Sequence, residues 1–370
     1  MFAYALHTPM NHDQLAALLP AMRHLDELWI QDHTLAYAAS SPDTASTVAQ
    51  SLAAQGLAGQ QAAQAPGVAA VDDGMVLTVI MGAADIPAEL AAVLATWNVM
   101  PHRLRRLSAA DAPAQVLELH LPDMASQDRR RELQELGQRW GADLALMGAA
   151  EKQPRRRLVA FDMDSTLIEC EVIDELARRA GVGDAVAAVT ARAMRGELDF
   201  RSSFRERMSK LRGLDSAVLE EVAASLPVMA GAERLLRSLA AQGHYTVILS
   251  GGFDFFARRL QQLLGVNEIH ANCLEIRDGA LTGGVVGEIV DGQRKVELLQ
   301  RVAAEQGFAM ADTVAVGDGA NDLPMLHTAG LGVAFHAKPL VREEAPHCVM
   351  HGDLDALLYL LGVDDDEVGG

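Results

Sequence analysis

The chain has 370 residues, a formal net charge of −19 and a composition that is 50% hydrophobic. At roughly 150 residues per domain, this length predicts two or three domains with sizeable cores. A chain this acidic is a poor binder of nucleic acid, whose phosphates are neutralised by clustered lysine and arginine. No apolar run reaches the roughly 18 residues that a membrane span needs. From the charge and from this absence, we expect neither a nucleic-acid partner nor a membrane partner.

Cysteine content and the first residues bear on the cellular compartment. The three cysteines, Cys170, Cys273 and Cys348, show neither metal-binding nor redox spacing, which is typical of a reduced protein without structural disulfides. The N-terminal residues lack the basic segment of a secretory signal peptide. We therefore expect a cytoplasmic protein.

Apolar periodicity in the first 150 residues predicts two small α+β units, 1–72 and 73–150. In the first, an apolar start, a helix, two strands and a helix fall at Phe2–Leu6, Leu15–Leu25, Leu28–Gln31, Leu35–Ala39 and Ala45–Gln55. In the second, the order strand, helix, strand, strand, helix, strand falls at Val76–Met81, Ala88–Trp97, Arg103–Leu107, Val116–Leu121, Asp128–Trp140 and Leu144–Met147. The β-α-β-β-α-β order is a ferredoxin-like pattern.

Residues 151–370 predict a third domain of the α/β class, and it opens with a charged linker that contains a proline. Four continuous apolar runs suit strands that are buried on both faces of a parallel sheet: Leu158–Phe161, Thr246–Leu249, Thr313–Val316 and Gly332–Phe335. Helices are predicted between them at Ala232–Ala241, Phe255–Leu264 and Val296–Glu305. Asp278 and Gly279 predict a hairpin turn. The stretch at about 172–227 has almost no strand signal, so we expect a helical insertion there.

Polar residues follow three of the predicted strands at the point where each strand ends. These residues are Asp162 to Thr166, Ser250 to Gly252, and Gly317 to Asp322. In open α/β sheets, ligands bind at the carboxyl ends of the strands. We therefore expect these side chains to form one site.

Asp162 and Asp164 stand two residues apart at a strand end, so both side chains can lean into one pocket. Two close carboxylates repel each other and need a counter-charge. Mg²⁺ supplies it where phosphate is also a ligand, and Asp318 is a natural third oxygen donor. One carboxylate could then attack phosphorus while the other handles protons. The structural alternative is a pair of aspartates that only cap loops.

Two further features are weaker when taken alone. Ser250 to Gly252 precede a helix, where backbone N–H groups favour an anion, although a tight turn would also explain the glycines. Lys295 lies in a stretch that looks exposed, so by itself it would be an ordinary surface lysine. A nucleotide-binding P-loop is excluded because no G-x-x-x-x-G-K-[ST] pattern occurs, and no histidine or cysteine cluster predicts zinc.

Taken together, four segments resemble the motifs of the haloacid dehalogenase superfamily of phosphotransferases. They are Phe161–Thr166 (FDMDST), Ser250–Gly252 (SGG), Lys295 and Gly317–Asp322 (GDGAND). The longer stretches FDMDSTLIECEVIDELARRAGV, SGGFDFF and TVAVGDGANDLPML are similar to the phosphoserine phosphatase family, over about residues 156–361. The resemblance implies a Rossmann-like parallel sheet with a helical cap.

The resemblance also implies the roles of the strand-end residues. Asp162 would be the nucleophile, and Asp164 would protonate the leaving oxygen and then activate water. Asp162, the backbone carbonyl of Asp164, and Asp318 would hold Mg²⁺, with Asp322 supporting the metal. The phosphoryl group would be bound by Ser250, the N–H of Gly251, Lys295 and Asn321.

The cap would supply the substrate contacts in this family. Glu171 would meet the ammonium group of phosphoserine, and Arg207 would bind its carboxylate, a role that suits the planar guanidinium. Met194 and Phe200 would close over the substrate and exclude water. Plain packing within the cap is the alternative for these two residues.

The two N-terminal units resemble ACT domains, which often bind amino acids and dimerise. Gly82–Glu89 (GAADIPAE) is similar to the ligand loop of such domains, whereas the first unit has His7–Met10 there, without glycine. The resemblance implies a homodimer in which serine could bind, and a scaffold without a ligand is the alternative.

The function that follows is hydrolysis of O-phospho-L-serine to L-serine and phosphate, the last step of serine biosynthesis. Two other hypotheses stay open. One is a phosphatase of the same mechanism for another small phosphomonoester, such as phosphothreonine. The other is a non-enzymatic amino-acid sensor, which the intact Asp162, Asp164, Lys295 and Asp318 disfavour.

Overall fold

The computed structural model describes most of the chain. The described residues are 2–5, 10–31, 34–39, 49–50, 52, 74–82, 84, 86–109, 112, 114–122, 129–152 and 157–365. The chain divides into two compact units. The first contains Met1–Pro154, Met350–Gly352 and Ala356–Gly370, and the second contains Arg155–Val349 and Asp353–Asp355.

The first unit is built on one antiparallel sheet. Its strands are β1 (Phe2–Ala5), β2 (Leu25–Gln31), β3 (Thr34–Ala39), β4 (Met75–Met81), β5 (Arg103–Arg106), β6 (Gln115–Leu121) and β7 (Ala142–Gly148). They lie in the order β1-β3-β2-β5-β6-β4-β7. The order β5-β6-β4-β7 is the ferredoxin-like arrangement predicted for residues 73–150. Because β2 pairs with β5, strands from both predicted units share one sheet.

The described residues up to Lys152 include the helices α1 (His12–Leu18), α2 (Glu89–Thr96) and α3 (Arg130–Trp140). The Asn11 side chain accepts from the Gln14 N–H, and the Gln14 side chain accepts from the Asn11 N–H, so α1 begins with a capping box. It ends earlier than predicted because Pro20 cannot donate to an α-helical ladder, and Leu19–His24 form a 3₁₀ helix instead. Strand β2 consequently begins three residues before its predicted start.

Some predictions for this unit fall largely outside the described residues. Of the predicted helix Ala45–Gln55, residues 49, 50 and 52 are described, and all three are helical. The ligand loop proposed at Gly82–Glu89 is described in part, and of His7–Met10 only Met10 is described. The ACT-like interpretation therefore stays a prediction.

The second unit contains the predicted α/β sheet. Its strands are β8 (Leu158–Phe161), β9 (Tyr245–Phe253), β10 (Glu268–Arg277), β11 (Ala280–Val286), β12 (Thr313–Gly317), β13 (Leu331–Phe335) and β14 (His347–Val349). They lie in the order β11-β10-β9-β8-β12-β13-β14, parallel except for β11. Strands β8, β12 and β13 are buried along their whole length, which explains their continuous apolar runs. The fold class is therefore confirmed.

Four helices form the predicted insertion: α4 (Val172–Arg179), α5 (Gly183–Met194), α6 (Phe200–Lys210) and α7 (Ala217–Ala224). The remaining helices of this unit are α8 (Ala232–Ala241), α9 (Asp254–Leu264), α10 (Gly292–Gln306), α11 (Leu323–Thr328) and α12 (Pro339–Glu344). The hairpin between β10 and β11 is also confirmed. Asp278 and Gly279 both have positive φ, 51° and 78°, as a tight two-residue turn requires.

The C-terminal helix α13 (Ala356–Leu360) groups with the first unit, although the predicted third domain extended to residue 370. A buried lysine explains part of this grouping. Lys152 pairs with Glu118 and donates to Thr78 Oγ1 at 2.6 Å and to the Tyr359 carbonyl at 2.8 Å. Although burial opposes the charged form, Lys152 lowers the pKa of Glu118 to about 2. The buried pair of Lys152 and Glu118 is thus bound by the carbonyl of Tyr359, from the C-terminal helix.

No helix among the described residues is long and apolar enough to cross a membrane.

Asp143 on β7 anchors a second C-terminal segment within the first unit. It is 5% exposed and accepts from the backbone N–H groups of Met350 (2.6 Å), His351 (3.1 Å) and Gly352 (2.8 Å). Removing the carboxylate would leave three backbone donors without their acceptor, and unmet buried polar groups are costly.

We expect Asp143→Ala to destabilise this unit by about 2–3 kcal/mol. The three tryptophans of the chain, Trp29, Trp97 and Trp140, all lie in this unit, so urea unfolding followed by tryptophan fluorescence reports on it selectively. Asp143→Asn keeps one acceptor oxygen and should lose less. An unchanged midpoint for Asp143→Ala would contradict the anchoring role.

Candidate active site

The site lies at the carboxyl edge of the parallel sheet, where β8 runs between β9 and β12. Phe161 is in register with Ile248 on one side and with Val316 on the other. The Asp162 N–H donates to the Val316 carbonyl at 2.9 Å, so Asp162 leaves the sheet directly beside the end of β12. The three predicted strand ends therefore meet at one edge, as parallel topology requires.

Lys295 is the cation at the centre of this edge. Its side chain is 0% exposed, and its Nζ lies 2.8 Å from Asp162 Oδ1 and 2.6 Å from Asp322 Oδ1. Burial alone would lower the pKa of Lys295, but the two carboxylates raise it above its usual value. The lysine thus stays protonated. The expectation from local sequence that Lys295 lies on the surface is wrong.

Three aspartates next to this lysine form a group that could hold a metal ion. Asp162, Asp318 and Asp322 are buried, and one carboxylate oxygen from each lies within 4.8 Å of the others. Burial, followed by the charge of Asp162, raises the pKa of Asp318 and raises that of Asp322 to about 7. Excess negative charge among buried carboxylate oxygens fits a hard divalent cation. The Asp164 carboxylate is not in this group. The metal ligand predicted from Asp164 is its backbone carbonyl oxygen.

Asp164 lies in a different electrostatic setting. Its Oδ1 accepts from the Val172 N–H at 3.2 Å, at the start of α4. Burial first, and then the charges of Glu171 and Asp162, raise the pKa of Asp164 well above its usual value. A raised pKa favours the protonated carboxyl group, which is the form that a general acid needs.

Ser250 and the two glycines after it are part of β9, which continues to Phe253 rather than ending at Leu249 as predicted. The Ser250 side chain is fully buried, and its Oγ accepts from the Gly252 N–H at 2.9 Å. A Cβ at Gly252 would lie 2.6 Å from Asp164 Oδ2. A side chain at this position would therefore displace the Asp164 carboxylate.

Phe200 brings the helical insertion against this strand. A Cβ at Gly251 would lie 2.9 Å from Phe200 Cζ, so the phenyl ring sits over the glycine. Phe200 stacks on Phe204 at 6.2 Å between ring centroids, and Phe204 lies 6.1 Å from Phe253. These contacts place an apolar wall beside the predicted phosphoryl-binding residues.

Glu171 and Arg207 lie in two different environments. They are the residues predicted to bind the amino and carboxylate ends of a substrate. Glu171 lies at the N-terminus of α4 and accepts from Ser165 Oγ at 3.3 Å. Burial raises the pKa of Glu171. Arg207 on α6 has a buried Nε without a hydrogen-bond partner, and among the described residues no carboxylate lies within ion-pair distance of it.

The structure places Met194 and Asn321 in different environments. Met194 is 76% exposed at the end of α5. Asn321 is half-buried, and its Oδ1 lies 2.6 Å from the position that a Cβ on Gly319 would take. The roles of Met194 and Asn321 therefore stay predictions.

Lys338 was missed by the sequence analysis. Its Nζ lies 3.1 Å from Asp318 Oδ2 and 3.8 Å from Glu171 Oε1, so it neutralises part of the acidic site. Its position shortly after β13, at the same sheet edge as the other polar residues, was the available signal. An isolated lysine in a loop gives no reason to choose it over other surface lysines.

The fold and the site together define a haloacid dehalogenase-like hydrolase, whose family model matches residues 159–327. A phosphoserine phosphatase of Streptomyces coelicolor is 45% identical over 285 residues, which cover 77% of this chain and 69% of the relative. The chain belongs to the phosphoserine phosphatase family of these hydrolases.

Two solved structures agree with this assignment. A haloacid dehalogenase family hydrolase from Salmonella enterica superposes with a TM-score of 0.70 at 34% identity, over 78% of this chain and 98% of that one. A probable phosphoserine phosphatase from Vibrio cholerae has a TM-score of 0.65 at 34% identity, over 80% of this chain and 89% of that one. The predicted family is thus confirmed.

We expect Gly252→Ala to lower the hydrolysis of an aryl phosphate on the order of 100-fold, since displacement of a catalytic group by about 1 Å has effects of that size. The added Cβ would meet Asp164 Oδ2 at 2.6 Å and Met163 Cε at 2.7 Å. Gly183→Ala is the matched control, because its nearest new contact is Arg178 Cα at 4.0 Å. Equal activity of the two variants would refute the steric argument.

Proposed function

We propose that this protein hydrolyses O-phospho-L-serine to L-serine and phosphate through a phospho-aspartate on Asp162, as the last step of serine biosynthesis. One observation carries the mechanism: Asp162 stands at the end of the central strand with its carboxylate paired to the buried Lys295. Membership of the phosphoserine phosphatase family supports the substrate. Arg207, with its unpartnered Nε, offers a position for the substrate carboxylate.

Asp162 attacks phosphorus, and the bond from phosphorus to the serine oxygen breaks. Lys295 supports this step in two ways. It pairs with the Asp162 carboxylate and orients it before the attack, and it offers positive charge to the phosphoryl oxygens as negative charge spreads over them. Because Lys295 is shielded from solvent, its charge is screened less than that of a surface lysine.

Asp164 moves the protons. Burial raises its pKa and so favours the protonated form, and this proton goes to the departing serine oxygen, so L-serine leaves as the neutral alcohol. The carboxylate that remains takes a proton from the water that attacks the phospho-aspartate. Phosphate is released, and both aspartates return to their starting protonation states.

Asp162, Asp318 and the Asp164 carbonyl would hold Mg²⁺, with Asp322 supporting it. When bound, the ion would neutralise charge on the phosphoryl oxygens and on the carboxylates. Lys338 and Lys295 share that task from either side of the acidic group. The choice of Mg²⁺ among divalent ions rests on its preference for oxygen ligands together with phosphate.

The amino acid end of the substrate is recognised by opposite charges. Glu171 receives the ammonium group, and Arg207 binds the carboxylate in a planar, two-bonded pair. Phe200 and Met194 exclude water from the closed site. A sugar phosphate lacks both charged groups, and the pair therefore selects against it.

Cellular setting and assembly complete the proposal. The three cysteines are free, as suits the reducing cytoplasm, where we place the protein. The N-terminal unit would dimerise the chain and could bind serine, as its ACT-like pattern implies.

The test is phosphate release from O-phospho-L-serine, with Mg²⁺ and with EDTA, beside phosphothreonine and glucose 6-phosphate. We expect magnesium-dependent hydrolysis that strongly favours phosphoserine. Asp162→Asn should lower it by more than about 1,000-fold while far-ultraviolet circular dichroism stays unchanged. Activity on the other esters alone would support the mechanism and contradict phosphoserine as the substrate. A folded protein that is inactive on all three esters would favour the amino-acid sensor. Turnover by a pure preparation of Asp162→Asn would contradict the role of Asp162 as the nucleophile.

Arg207→Ala should lower kcat/KM for phosphoserine about 10- to 100-fold, because a hydrogen-bonded charge pair is lost. An aryl phosphate has no carboxylate, so its hydrolysis should change far less. Arg205→Ala is the matched control, since Arg205 lies on the same helix with an exposed side chain. Equal losses on both substrates would exclude the carboxylate role of Arg207.

A further inference from the structure

Asn272 on β10 is a buried amide that no step of the mechanism above uses. Its side chain is 2% exposed. Its Nδ2 donates to the Gly251 carbonyl at 2.8 Å, and its Oδ1 accepts from the Val290 N–H at 2.9 Å. A carbonyl can only accept and a backbone N–H can only donate, so these two partners fix the orientation of the amide.

The first of these bonds controls the direction of the Ser250 hydroxyl. The Gly251 carbonyl and the Gly252 N–H belong to one planar peptide group. Holding the carbonyl therefore also holds the N–H, which donates to Ser250 Oγ at 2.9 Å. With a lone pair of Oγ occupied in this way, the hydroxyl proton is left to donate to another acceptor. The proposed function assigns a phosphoryl oxygen as that acceptor.

The second bond reaches the helix that carries Lys295. Val290 is followed by Asp291, whose Oδ1 accepts from the Arg294 N–H at 2.9 Å and caps the start of α10. Lys295 lies in the first turn of this helix. One amide thus joins the strand end that bears Ser250 to the segment that positions Lys295.

The strand pairing gives an independent sign that the position of Asn272 is specialised. The register of β10 against β9 shifts between His270 and Asn272, and Asn272 then pairs with Phe253. Irregularities of this kind re-aim side chains and occur next to active sites. Here the regular pairing of β10 with β9 is interrupted, and the side-chain amide of Asn272 donates to the Gly251 carbonyl.

We propose that Asn272 is a positioning residue for phosphoryl transfer: it sets the Gly251–Gly252 peptide so that the Ser250 hydroxyl donates to the phosphoryl group. The inference rests on the proposed phosphatase function and deepens it. Asn272 itself does not touch the substrate. Its effect on the rate passes through Ser250, and this makes it separable from a general contribution to folding.

A double-mutant cycle tests the inference. Asn272→Ala should lower kcat for phosphoserine on the order of 100-fold, as loss of one donor to a developing oxyanion does. In a Ser250→Ala background, the same change should cost less than about threefold, because residues that act as one unit are not additive. Asn267→Ala is the matched control. Asn267 accepts from Thr246 near the opposite end of β9, and its loss should leave kcat unchanged.

Equal losses in both backgrounds would overturn the inference, and so would equal kcat values for Asn272→Ala and Asn267→Ala. If Asn272→Ala does not fold, Asn272→Asp enters the same cycle, because it keeps the acceptor for Val290 and removes the donor to Gly251. An unchanged kcat for that variant would also overturn the inference. The wild-type assay separates the two proposals: an inactive wild type defeats the phosphatase, whereas an active wild type with additive variants defeats only the role of Asn272.

Discussion

The buried ion pair between Lys295 and its two aspartates is the constraint that shapes the catalytic unit. A charged lysine without solvent is tolerable only where opposite charges are fixed beside it. Asp162 comes from the end of β8, and Asp322 from the start of α11. The strand order, the helix position and the turn between β12 and α11 must therefore all be correct before this one cation is compensated. The same requirement places Asp162, the proposed nucleophile.

The net charge of the chain conflicts with the charge of the substrate. The chain carries a net charge of −19 and yet has to attract an anionic ester. A long-range positive field is absent, so attraction must come from cations close to the reacting group. Lys295 and Lys338 lie on the acidic group itself, and Arg207 stands in the helical insertion with its Nε unpartnered. Recognition at this site is thus a short-range property.

Local patterns in the sequence were enough to predict the strands and the acidic residues at their ends. Continuous apolar runs marked β8, β12 and β13, because strands covered on both faces need no polar residue. The burial of Lys295 could not be predicted from its surroundings, since it depends on a partner 27 residues away, Asp322. The same is true of Lys338, and of Asn272, whose importance appears only when the β9–β10 register is known.

The grouping of the C-terminal segment with the first unit has a consequence for synthesis on the ribosome. Asp143 and Lys152 are made early, whereas their backbone partners at Met350–Gly352 and Tyr359 emerge about 200 residues later. At 5–20 residues per second, that delay is roughly 10–40 seconds. The first unit is therefore completed last although most of it is translated first, and the catalytic unit has time to fold while the first unit is still unfinished.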